Sequence, residues 1–301
     1  METLSALELV AIAVLLGQGG CGRLDFDLRA NDDATEPGPD AACLGTGTFT
    51  DIAPVSAIND ATTQFGSFLS PDGLTLLWDQ SDGTHERLYM TVRATRTAAF
   101  PAGARIPGTF PQANQGDASL TGDGLELYFD SDESGGSCLY RATRATTAAP
   151  FDPPVALVAL CATDATAGAQ ISADGLTLVY NSALDAAAEG DLYLTARADR
   201  GTEFPTGKKL MGLPTSIGYP ALSADRLRLW FEQELTGGAL KIVSAARISP
   251  SDVFSQLHDI TELDTDGTEG DVSFTLDEAQ VAFASQRDGS YDVFTASRPC
   301  L

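Results

Sequence analysis

Seven oxygen-bearing side chains of this sequence recur at fixed intervals, and they are the first candidates for chemistry. Asp79, Asp130, Asn181 and Glu232 stand 51 residues apart, each directly after an aromatic residue (Trp78, Phe129, Tyr180, Phe231); the fifth place in the series is Ala284. A second series runs Gly66, Asp117, Gly168, Tyr219 and Asp271. Brought to one place, the two would form an oxygen-rich ring. Such a ring suits Ca²⁺, which takes six to eight oxygen ligands. The acidic segment from Glu262 to Asp271 adds carboxylates but lacks the last glutamate of an EF-hand loop. Two carboxylates roughly 5 to 9.5 Å apart could instead hydrolyse a glycoside, with Asp117, Asp130 and Asp271 as candidates. The plain alternative is a set of solvated carboxylates that keep the surface soluble.

Other chemistries find no residues. The two histidines, His85 and His258, fall in different parts of the repeat, so no histidine zinc site or catalytic triad can be read. There is no phosphate-binding loop, dinucleotide fingerprint or CxxC pair. With 18 basic and 42 acidic residues the formal net charge is −24, which argues against nucleic acid or an anionic lipid surface as partner and favours cations or basic partners.

The elements that must position these residues repeat five times. The turn aspartates are Asp72, Asp123, Asp174, Asp225 and Asp277, at spacings of 51, 51, 51 and 52 residues, a regularity that signals a repeat architecture. Each is preceded two places earlier by Ser or Thr (Ser70, Thr121, Ser172, Ser223, Thr275), and Gly73, Gly124 and Gly175 follow three of them, as a tight hairpin needs. Arg226 and Glu278 replace that glycine in copies four and five, so those two turns are expected to depart. Alternating runs such as LTLLW and LELYF read as half-buried strands ending on the aromatic residue. A further strand closes on Arg93, Arg144, Arg197, Arg247 or Arg298, and a fourth is introduced by Phe100, Phe151, Phe204 or Phe254. Aspartate and arginine recurring together predict an ion pair within each unit, a scaffold contact, since a functional site seldom repeats five-fold.

Four strands per unit of this length is the blade of a β-propeller. The expected fold is therefore all-β, a five-bladed propeller of four-stranded antiparallel blades. The fifth unit lacks a fourth strand at the C-terminus, and Phe49, 51 residues before Phe100, opens a segment of the same shape. Residues 47–60 are thus expected to supply the last strand and lace the ring shut, hiding sheet edges.

On these residues, above all SPDGLTLLW and DVSFTLDEAQVAFASQRDGSYDVFTASR, the sequence resembles the WD40-like PD40 repeats of the C-terminal propeller of TolB-type periplasmic proteins. The resemblance covers residues 47–301. It implies a protein-interaction platform in the bacterial envelope with no catalysis of its own. Carbohydrate binding or glycoside hydrolysis through rim carboxylates is the alternative class, since five-bladed propellers also include such proteins.

The N-terminal stretch reads separately. Leu9 to Leu16 is an apolar run followed by GQGGC, which fits a lipoprotein-type signal over residues 1–20 with Cys21 as the lipidated residue. Residues 21–46 are acidic and broken by Pro and Gly, and read as a flexible tether. With Cys21 lipidated, four cysteines remain, and the wrapped register pairs Cys43 with Cys300 and Cys138 with Cys161, as an oxidising compartment permits. The whole reads as an exported, outer-membrane-anchored lipoprotein facing periplasm or cell surface. Its membrane contact is through lipid alone, and its propeller is monomeric with a protein partner.

Overall fold

The structure is a computed structural model that describes Gly45 and residues 47–161, 166–182 and 191–299. Signal residues 1–20, Cys21, nearly all of the tether and the Cys43–Cys300 pairing lie outside the described residues.

Each serine- or threonine-led turn folds the same way because its side chains replace backbone partners. In the first, Ser70 Oγ donates to Asp72 Oδ1 at 2.6 Å, that carboxylate accepts the Leu74 N–H at 3.0 Å, and Ser70 Oγ accepts the Thr75 N–H at 2.8 Å. The set recurs at Thr121, Ser172, Ser223 and Thr275. The residue after each aspartate takes a positive φ: 72°, 66° and 74° at Gly73, Gly124 and Gly175, and 61° and 56° at Arg226 and Glu278. The two non-glycine turns therefore do not depart; their backbones accept a left-handed strain that glycine would avoid.

These hairpins join the strands of five four-stranded antiparallel sheets. The innermost strands are Gln64–Leu69, Gln115–Leu120, Thr166–Ile171, Ile217–Leu222 and Glu269–Phe274. The second strands are Thr75–Ser81, Glu126–Ser131, Thr177–Ser182, Arg228–Glu234 and Gln280–Ser285. Outer strands are shorter than the sequence pattern suggests: Ala104–Arg105, Val155–Ala156 and Lys208–Lys209, with Gln256–Asp259 the longest of the four that follow their own blade. In the second blade the run after Val155–Ala156 turns into a short 3₁₀ helix, Val158–Leu160, and Cys161 beyond it forms the expected disulfide with Cys138, their Cα atoms 5.0 Å apart.

Thr50–Pro54 pairs antiparallel with Asp292–Ser297 and completes the fifth blade, closing the ring as residues 47–60 predict. The Arg298 guanidinium lies 4.6 Å from the Phe49 ring centroid, the contact that Arg93, Arg144, Arg197 and Arg247 make on Phe100, Phe151, Phe204 and Phe254. Asn59 clamps both backbone groups of Val293, at 2.9 and 3.0 Å. The core lies between blades, where the aromatic ends of the second strands (Trp78, Phe129, Tyr180, Phe231, Phe283) are all buried.

The repeated arginines hold the turns through one contact common to all five. Their shared bond runs from Nε to the backbone carbonyl of the residue after the turn aspartate, at 2.7–2.8 Å to Gly73, Gly124, Gly175, Arg226 and Glu278. A side chain stacked flat on phenylalanine presents Nε along the turn's edge, where a carbonyl is waiting. Asp123 and Asp277 instead pair with Arg200 and Arg96 of the following blade, both at 2.5 Å, so these carboxylates tie blades together. Arg197 pairs with Glu126 and Arg298 with Glu278.

Candidate functional site

Each innermost strand carries a bulge two residues in: register shifts between Phe65 and Phe68, Gly116 and Ser119, Ala167 and Gln170, Gly218 and Ala221, and Gly270 and Ser273. The bulged residues are Gly66, Asp117, Gly168, Tyr219 and Asp271, with φ between 48° and 61°. A bulge bends the strand and aims one residue inward, so five bulges ring the channel at one end. The structure thus brings the second candidate series together.

The first series stands beside it. A bulge leaves a backbone N–H off its own ladder, and the carboxylate of the preceding blade takes it. Asp79 Oδ1 accepts the Asp117 N–H at 3.2 Å, and Asp130 Oδ1 accepts the Gly168 N–H at 3.3 Å. Glu232 accepts the Asp271 N–H. Where the fifth blade has only Ala284, Asp271 itself supplies Oδ2 to the Gly66 N–H at 2.9 Å. Asn181 occupies the third blade's place at the end of its second strand, with its Nδ2 near Gly218 and Glu232.

These carboxylates are not the solvated rim that a surface reading predicts. Asp79 is 0% and Glu232 8% exposed, and Asp117, Asp130 and Asp271 are half-buried. Burial is the main cause that raises Asp79, Asp117 and Glu232 well above the usual carboxylate range, and neighbouring carboxylates add to it. Burial also raises Asp130, and it brings Asp271 to about 6 against the opposing pull of the Gly66 N–H. Asp117 and Asp130 are close enough to act on each other: Asp130 raises Asp117, while the Asp117 side chain pulls Asp130 down against its burial. Tyr219 is raised too, first by Asp117 and then by burial, and stays a neutral phenol.

The channel cavity is small. It is lined by Gly66, Asp117, Gly168, Tyr219 and Asp271 and by the strand residues behind them, with ≈ 30 Å³ of water-accessible space. Among the described residues no lysine or arginine lines it. Two oxygens converge on its flank: a Cβ on Gly116 would meet Asp130 Oδ2 at 3.7 Å and Asp79 Oδ2 at 3.8 Å. Asp79 Oδ2 is buried without a hydrogen-bond partner. Among the described residues no three His, Cys, Asp or Glu side chains converge as a metal ion requires.

Two features escaped the sequence reading. The opposite channel mouth is apolar, lined by Phe68, Pro71, Leu222, Phe274 and Leu276 with Glu278 at its edge. Its sequence trace is partial: Ile171, Leu222 and Phe274 each stand directly before a turn Ser or Thr. Trp230, beside Phe231, is 3% exposed, packs on Phe274 with ring centroids 4.1 Å apart and lines this apolar mouth. The second feature is a cavity between blades five and one, lined by Asp51, Arg93, Arg96 and Gln280. Arg96 and Arg200, each three residues after a closing arginine, are its sequence trace.

Fold and site together define a five-bladed β-propeller with an acidic, proton-holding channel mouth, and its architecture is TolB-like. TolB from Acinetobacter baumannii superposes with a TM-score of 0.52 at 16% identity, over 80% of this chain and 56% of that one. An α-L-arabinofuranosidase from Podospora anserina superposes with a TM-score of 0.57 at 10% identity, over 85% of this chain and 97% of that one. A thermostable family-43 glycoside hydrolase gives 0.55 at 9% identity, over 83% and 93%. At such identities the likeness shows the fold alone. This chain spans little more than half of the Acinetobacter TolB. No protein-family model and no curated protein matches the sequence.

Proposed function

We propose that this protein is a non-catalytic binding propeller of the bacterial envelope, docking a protein partner at its acidic channel mouth. One observation carries the reading: the carboxylates that could act as acid and base are used by the scaffold. Asp79, Asp130, Glu232 and Asp271 each accept a backbone N–H from the next blade's bulge. A carboxylate so engaged has a structural role, holding the bulge of the next blade in place. Space agrees, since ligand pockets run to about 300 Å³ or more and the described channel offers ≈ 30 Å³. The surround suits a polypeptide: Glu234, at the end of its second strand, and Glu133 and Asp288, in loops just after theirs, are exposed carboxylates. Anchoring through a lipidated Cys21 and an outer-membrane location belong to this proposal. They rest on the apolar run before GQGGC and on the likeness to the TolB propeller.

Crosslinking followed by affinity capture from the source cell envelope tests it. Wild type is expected to retrieve a protein that Glu133→Lys/Glu234→Lys/Asp288→Lys loses. Equal recovery by the two, or turnover of aryl glycosides by the purified protein, would reject the reading.

A further inference from the structure

The acidic mouth holds a feature that its scaffold role leaves unexplained. Asp79 spends Oδ1 on the Asp117 N–H, yet its Oδ2 is buried without a partner, in a residue 0% exposed. Leaving a buried polar oxygen without a partner is unfavourable. That oxygen faces the notch at Gly116, where Asp130 Oδ2 also ends. Asp117, Tyr219 and Asp271 line the cavity beside it, and among the described residues no lysine or arginine does. The ring therefore has acceptors and lacks a positive donor.

Which cation fits follows from how the oxygens are spread. A hard divalent ion needs several oxygens at one short radius, and among the described residues no three carboxylates converge on a point. An ammonium or guanidinium carries three to five donors on one charge and reaches acceptors that diverge. The space, ≈ 30 Å³, takes a side-chain head and not a whole ligand. The Tyr219 ring adds a face on which a cation can rest.

We propose that the acidic channel mouth takes a single ammonium or guanidinium group, presented by a lysine or arginine side chain of a partner polypeptide and seated against Asp117 and Asp271, with the neighbouring Asp79 and Asp130 adding negative charge. This rests on the binding-propeller reading and names the chemistry of the partner. The cation replaces a proton that the ring holds when empty, so binding releases that proton to the buffer and weakens as the pH falls.

Titration calorimetry of the full chain, run in two buffers of different ionisation enthalpy, tests this. The probes are n-butylammonium, an end-blocked Gly-Gly-Lys-Gly-Gly peptide, its norleucine counterpart and Ca²⁺. Butylammonium and the lysine peptide are expected to bind one to one with proton release, and the norleucine peptide not at all. Asp79→Asn keeps the acceptor for Asp117 N–H, and Asp271→Asn keeps the one for Gly66 N–H, so both variants should melt cooperatively while binding at least tenfold more weakly. Absence of saturable binding to wild type, undiminished binding to both variants, or a Ca²⁺ complex that butylammonium does not displace would overturn the proposal. Binding of butylammonium without the lysine peptide would overturn its polypeptide source. If amine binding fails while charge reversal of the rim still abolishes capture, the binding-propeller reading stands without this site.

Discussion

At the scale of single residues, two side chains sit in turn positions built for glycine and are retained for different reasons. Glu278, at φ 56° and 3% exposed, pairs with both Arg228 at 2.6 Å and Arg298 at 3.0 Å. Its strained backbone is offset by holding blade four to blade five. Arg226, at φ 61°, is exposed, and its contribution to the turn is a backbone carbonyl for Arg247 Nε. Glycine supplies that carbonyl equally well without the left-handed penalty, which is of order 1–2 kcal/mol and partly cancelled by glycine's greater unfolded-state freedom. Arg226→Gly is expected to stabilise the protein by about 1 kcal/mol, read as a higher urea midpoint at unchanged slope. Glu278→Gly should move the midpoint the other way, because it strands Arg228 and Arg298. A lower midpoint for Arg226→Gly would mean that its side chain, and not its backbone, holds the turn.

At the scale of elements, the ring is closed by a segment over 230 residues from its partner strand, and Phe49 is its anchor. Phe49 is 4% exposed, lies under Arg298 and meets Phe274 with ring centroids 5.9 Å apart. Phe49→Ala removes a buried aromatic and the platform for a guanidinium at once, and should cost about 3–5 kcal/mol. Phe49→Leu keeps much of the volume and should cost less. If thermal melts of the two coincide with wild type, closure rests on the strand hydrogen bonds and not on this side chain. The closure was legible because Phe49 stands in register with Phe100 and Phe254, and the turn cassettes were legible because Ser70, Asp72 and Gly73 act within six residues of chain. The bulges were not. Nothing local marks Asp117, Tyr219 or Asp271 as left-handed residues, and Gly66 and Gly168 acquire that meaning only when the five positions are seen to share one backbone geometry. The arginines show the same limit: spacing brings Arg93 near the Asp72 turn but does not distinguish the carboxylate from the Gly73 carbonyl, a choice that stacking on Phe100 decides.

At the scale of the whole molecule, the acidic ring sets how stability responds to pH. Asp79, Asp117, Asp130, Glu232 and Asp271 all have folded-state values raised above those of the unfolded chain, chiefly by burial. For a carboxyl so raised, the folded state holds its proton to higher pH than the unfolded one. Its full contribution to stability is therefore present below the unfolded value near 4 and is lost as the pH rises through the folded value. Asp271 loses its share between about 4 and about 6, and Asp79, Asp117 and Glu232 extend the loss above that. Carboxylates shifted the other way oppose this only in acid. Asp60 and Asp277 are lowered, the first by its Thr62 hydrogen bonds and the second by Arg96 and Thr275 against its burial, so their stabilisation disappears below about 4. Between pH 5 and 8 the ring governs, and the melting temperature should fall steadily as pH rises at fixed ionic strength. Asp117→Asn/Glu232→Gln replaces two of the raised carboxyls with neutral groups of like shape. It should flatten that slope while leaving the melting temperature at pH 5 close to wild type. Melting temperatures that rise from pH 5 to 8, or an unchanged slope in the variant, would show that the ring carries its charges without cost and that other groups set the pH response.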